Sequence, residues 1–199
     1  ISSDFVLSET AEPTRRTLGR SSAASDVYKG QGLDLGERAA EALAAGLQDG
    51  ERRLGNAAHA IASSPVPVIG VINGAAVGGA LELAIACDWR IARRGARLAM
   101  PAARIGVVYA ADGLRRFVAA MGPARTRRLF LTAAAVEAEE AYDMGLVDQV
   151  VEADDLWQTA RDAAAAVARA APLAVAGTRA RAACAVSWID SGPSLSEAT

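Results

Sequence analysis

The chain of 199 residues, 52% of them hydrophobic, is long enough to bury one ordinary core, and we expect one domain over 1–199, with its core at 22–150 and a helical part at 151–199. A formal net charge of -2 and a pI near 5.5 give no electrostatic reason to expect nucleic acid or an anionic membrane as partner, which leaves a small ligand. No apolar run has bilayer length and ISSDFVLSE lacks the basic start and apolar stretch of a secretory leader, so a cytoplasmic protein is expected; Cys87 and Cys184, far apart in sequence, fit two thiols in a reducing compartment.

Residues 1–32 are polar, rich in Ser, Thr and Gly, and hold only the short apolar piece FVLS, so pattern specifies little there. From Leu35 the positions Leu35, Ala39, Leu43, Leu47, Leu54, Ala58 and Ile61 recur at helical spacing, which predicts an amphipathic helix with Gly50 and Gly55 as weak points and an end at Ser63-Ser64-Pro65. The lone histidine, His59, falls on this helix as a surface or satisfied helix residue, with no metal cluster or nucleophile near it in sequence.

Val66 to Ile72, VPVIGVI, predicts a strand buried on both faces whose pairing begins just after Pro67. A short helix over about Ala80 to Cys87 follows, then strands WRIA and RLAM. Beyond them helices alternate with one further strand, VDQVV. Met144-Gly145 is a helix stop, and Asp154 is the expected N-cap of an alanine-rich helix running to Ala170. Strand and helix alternate, which points to an α/β protein with parallel strands and a ligand at their carboxyl ends.

That rule directs attention to NGAAVGGALELAIACDW, just after VIGVI. Gly74, Gly78 and Gly79 do not make the GxGxxG spacing, and no GK[ST] is present, so both nucleotide motifs fail on residue identity. What remains is a helix start with bare backbone, whose unpaired N–H groups and dipole favour negative charge. Glu82, one turn inside, suits either a helix-capping role or chemistry.

Three segments, PVIGVINGAAVGGALELAIACDWRIA, RLAMPAARIGVVYAADGLRRFVAAMG and LTAAAVEAEEAYDMGLVDQVV, occur in the order found in the enoyl-CoA hydratase/isomerase, or crotonase, superfamily, which the chain resembles from about Ser22 to Arg181. The resemblance implies a crotonase-like spiral of ββα units with stacked parallel sheets and C-terminal helices. It also implies an acyl-CoA substrate in which coenzyme A is part of the substrate rather than a cofactor, and homotrimers or hexamers. Two backbone N–H groups would hold the thioester oxygen as it becomes an enolate. Gly79 matches one donor; Ser25, in Ser22-Ala23-Ala24-Ser25-Asp26, matches the other, with Ala24 where the family pattern has glycine.

Glu82 matches the first of two glutamates used for hydration, whereas Ala102 stands where the second would follow Pro101. Alanine neither accepts a proton nor orients water, so a two-glutamate hydration is not expected. LAMPAARIGVVYA resembles the corresponding part of the family's methylmalonyl-CoA decarboxylases, with Tyr109 at their tyrosine position. The resemblance therefore implies decarboxylation of a malonyl-type thioester, in which Tyr109 binds the departing carboxylate. Isomerisation with Glu82 as base and a non-catalytic acyl-CoA-binding subunit are the alternatives. Arg115, Arg116, Arg125, Arg127 and Arg128 fit CoA phosphates or a solvated helix face equally well.

Overall fold

Strand β2 (Val68–Ile72) has all five residues buried, as its unbroken apolar run requires, and it begins one residue after Pro67. In this computed structural model, which describes residues 5–9 and 40–190, β2 runs parallel to β4 (Trp89–Arg93), pairing Ile69 with Trp89 and Ile72 with Ala92. Strand β4 in turn pairs parallel with β7 (Gln149–Val151). Strand β1 (Phe5–Glu9), the FVLS piece, lies antiparallel on the other side of β2.

A second sheet is built from β3 (Ala76–Val77), β5 (Arg97–Ala99) and β6 (Val136–Glu137), with β3 parallel and β6 antiparallel to β5. Consecutive strands go to alternate sheets: β2 to the first, β3 to the second, then a helix; β4 to the first, β5 to the second, then a helix. This is the expected ββα spiral. Each sheet departs from pure parallel order through one antiparallel edge strand, β1 in one and β6 in the other, an arrangement that a parallel sheet tolerates at its edge.

The long helix α1 (Ala40–Ala62) buries Leu54, Ala58 and Ile61, the last three members of the predicted stripe, against Val68, Leu83, Ala86 and Cys87, while Leu35 and Ala39 lie outside the described residues. Ile61 at its end lies in one cluster with Val68 at the start of β2. Helix α2 (Gly79–Ile85) follows β3, and its C-terminal end is so close to β2 that a Cβ on Gly70 would sit 3.1 Å from Cys87 Sγ.

Helix α3 (Ala111–Thr132) is kinked where Gly122 (φ 78°) precedes Pro123, which has no N–H to give. Helix α4 (Ala138–Met144) ends on Gly145 at φ 87°, the left-handed cap its sequence announced. Helix α5 (Leu156–Ala168) corrects the expected N-cap: Asp155, not Asp154, takes that position, and it caps through its carbonyl, which accepts from Thr159 N at 2.9 Å, without a side-chain bond. The helix also ends at Ala168 rather than Ala170, because Pro172 opens a new helix, α6 (Pro172–Asp190), at the position where a missing N–H costs nothing.

Candidate active site

The site lies beyond the carboxyl end of β2, where the chain crosses to the second sheet and turns into α2. Gly78 makes the turn at φ 59°, ψ -120°, a conformation closed to side chains with a Cβ. Its N–H donates to Ala99 O (2.9 Å), which ties the turn to β5. Its carbonyl accepts from Leu81 N (3.0 Å) and Glu82 N (3.1 Å), which starts the helix. Gly79 is buried as the first helical residue, and its own N–H has no acceptor among the described residues.

Glu82 is 4% exposed, and its carboxylate does not cap the helix. Instead Oε2 accepts a hydrogen bond from the Tyr109 hydroxyl, and Oε1 accepts one from Arg116 Nη1 at 3.1 Å. The capping role that its position alone allowed is thereby excluded. Burial drives the Glu82 carboxyl above the usual carboxylate range, against the opposing pull of the Tyr109 hydrogen bond and the Arg116 charge; the negative charge of Glu51 adds to the rise. The Tyr109 hydroxyl is also pushed well above an ordinary phenol, first by burial and then by the Glu82 charge it faces.

Tyr109 is delivered by a 3-10 turn (Ala102–Ile105) that ends on Gly106 at φ 70°, and it stands just before α3, whose N-cap is Ala110. Its ring meets Phe130 edge-on, with centroids 5.2 Å apart, and Phe130 meets Phe117 in the same manner at 5.0 Å. The phenol is therefore anchored to α3 as well as to Glu82. Arg116 comes from the second turn of α3.

The expected partners are thus only partly assembled. Glu82 and Tyr109 come together directly, but the phenol's one proton is directed to Glu82 rather than left free for a substrate carboxylate. Ser25 and the 22–26 segment lie outside the described residues. Arg116, which the sequence left undistinguished among five arginines, is a site residue. The signal that separates it is spacing: Gly113 and Phe117 are buried on α3, and residue 116 shares that inward side. Arg115 and Arg128 instead form exposed pairs with Asp112 and Glu140, each at 2.6 Å, and His59 is exposed as expected.

Ala102 is buried in the apolar cluster with Leu98, Met100 and Phe117, so no second carboxylate enters there. Among the described residues, Glu82 is the one buried acid.

The two-sheet spiral with its helix start at Gly79 defines an α/β protein with a small-ligand site. The profile of one family, enoyl-CoA hydratase/isomerase, matches residues 23–188, and the chain belongs to it. The short-chain-enoyl-CoA hydratase of Clostridium acetobutylicum is 38% identical over 109 residues, covering 55% of this chain and 42% of that protein. Among solved structures, the enoyl-CoA hydratase from Bacillus anthracis aligns with a TM-score of 0.68 at 31% identity, over 75% of this chain and 57% of its own. The monofunctional enoyl-CoA isomerase from M. smegmatis aligns with a TM-score of 0.63 at 32% identity, over 72% and 66%. The chain spans under half the length of the curated relatives it matches. Among the described residues no helix is long and apolar enough to cross a membrane.

Proposed function

We propose that this site decarboxylates a malonyl-type CoA thioester through an enolate, with Glu82 and Tyr109 as a two-member proton relay. The observation that carries the proposal is the Tyr109–Glu82 hydrogen bond beside a buried Ala102 where a two-carboxylate site needs an acid. Loss of CO2 leaves its electron pair on the thioester as an enolate, and no base is needed to remove a carbon-bound proton. The Gly79 N–H, together with a second N–H that the family resemblance assigns to Ser25, holds the developing oxyanion; one such donor is worth roughly a hundred- to a thousandfold in rate.

The raised affinity of Glu82 for a proton then has a use. With Glu82 protonated, its O–H donates to the phenol oxygen, and the phenol proton is released to bind the substrate carboxylate. As CO2 departs, Tyr109 passes that proton to the α-carbon and takes the proton held by Glu82, which is replenished from solvent. One proton is consumed, one CO2 leaves and a saturated thioester remains. Arg116 keeps the carboxyl oriented throughout. Coenzyme A enters only as part of the substrate.

A second reading, double-bond isomerisation, is favoured by Glu82 being the one buried acid among the described residues, because moving a proton between carbons needs a single carboxylate. Mass spectrometry of thioester products separates the two. The proposal expects CO2 release from methylmalonyl- or ethylmalonyl-CoA and no hydration of crotonyl-CoA; double-bond migration in a 3-enoyl-CoA without CO2 release would establish the second reading in its place.

A further inference from the structure

We propose that Gly113 is a positioning residue whose missing side chain makes the space that docks the Tyr109 phenol on Glu82. Gly113 lies in the first turn of α3 and is buried. Glycines 78, 95, 106, 122 and 145 have positive φ, which explains glycine at those positions by backbone conformation; Gly113 does not. In an ordinary helical conformation alanine is the better helix former, so glycine here weakens the helix unless space is needed.

Space is what the surroundings demand. A Cβ on Gly113 would sit 2.6 Å from Tyr109 Cε1 and 3.1 Å from Cδ1. It would also sit 3.1 Å from Glu82 Oε1, the oxygen that Arg116 holds. The phenol ring cannot absorb the first contact in place, because Phe130 packs edge-on against it. A methyl group at 113 therefore displaces the ring from its place on the carboxylate and separates the two members of the relay. Residues 109 and 113 act as a matched pair: an aromatic ring at one and no side chain at the other.

The role in turnover rests on the relay reading above, whereas the docking itself does not, and the test keeps them apart. Gly113→Ala, Tyr109→Leu and the double variant are made in the full chain and titrated with base while tyrosine absorbance is followed. Gly113→Ala is expected to ionise one phenol at lower pH than the unaltered protein does, because separation removes the Glu82 charge and hydrogen bond while the burial of the ring remains. That shifted phenol is absent from the double variant. Turnover falls about tenfold or more in Gly113→Ala, and the same substitution changes the residual rate less than about twofold in the Tyr109→Leu background, where the ring that clashes is gone.

An unchanged phenol titration, or an equal loss from Gly113→Ala in both backgrounds, would overturn the proposal. If Gly113→Ala does not fold, the double variant decides: folding once the ring is removed supports the docking role, and failure to fold overturns it. Should the titration shift as expected while the unaltered protein releases no CO2 from any malonyl thioester, the docking of Tyr109 stands and the decarboxylase reading fails.

Discussion

Replacing Tyr109 by phenylalanine removes one oxygen and leaves the ring to pack against Phe130 as before. What is lost is the hydrogen bond to Glu82 Oε2. A hydrogen bond to a charged group contributes about 1.5–3 kcal/mol, and it favours the ionised carboxylate over the neutral acid. Its removal shifts the ionisation equilibrium of Glu82 roughly ten- to a hundredfold toward the protonated form. Burial is then opposed by the Arg116 charge alone, so Tyr109→Phe keeps its Glu82 proton to higher pH than the unaltered protein.

The assay is infrared titration of the carboxylic-acid carbonyl band that disappears in Glu82→Gln. That band should persist to higher pH in Tyr109→Phe, and CO2 release should fall by about a hundredfold because the relay has lost the member that meets the substrate. A band that titrates at the same or lower pH, or a rate within about twofold, would refute the reasoning.

Glu82→Gln should abolish turnover, a loss of about a hundred- to ten-thousandfold, yet raise the melting temperature at neutral pH. The sign follows from linkage: the folded carboxyl binds its proton more tightly than the ordinary value of 4.5, so the stability that Glu82 contributes is fully present below that value and is lost as pH rises through the folded value. Scanning calorimetry at two pH values checks this, with little difference between the proteins expected below the ordinary value. Arg116→Met removes a charge that favours ionised Glu82, so the carboxyl should again hold its proton to higher pH, with a loss of stability of about 2 kcal/mol in urea unfolding, less than for a fully buried pair because Glu82 can neutralise itself. Ala102→Glu should lower the melting temperature, since it places an acid among Leu98, Met100 and Phe117, and should create measurable crotonyl-CoA hydration; a folded variant with no such gain would argue against the missing second carboxylate as the determinant.

What the sequence revealed and what it concealed follow from the length of each signal. VIGVI announced a two-face-buried strand because five consecutive residues agreed, and Met144-Gly145 announced a cap because one glycine conformation explains it. Strands β3 and β6 have two residues each, too short for any alternation, and they emerged only through pairing with β5. Asp154 and Asp155 are chemically equivalent candidates, so pattern could not choose between them, and the backbone used neither side chain. At the site, Gly79, Glu82 and Tyr109 stood out by motif, whereas Arg116 hid in a run of arginines and nothing in the pattern marked Gly113. Arg116 is explained by a bond to Glu82 across 34 residues of sequence, and Gly113 by a Tyr109 ring whose place is set by its own bond to Glu82 across 27, which no local pattern encodes.

The claim beneath both readings of the reaction is that Glu82 exchanges a proton with the α-carbon of a thioester enolate, directly or through Tyr109. By microscopic reversibility the group that protonates the enolate also removes that proton from the saturated product. Incubation with propionyl-CoA in deuterated water, followed by mass spectrometry, measures this without assuming which substrate enters. Deuterium should appear at the α-carbon with the unaltered protein and slow by at least about a hundredfold in Glu82→Gln; no incorporation with the unaltered protein, or equal incorporation with both, would contradict the account.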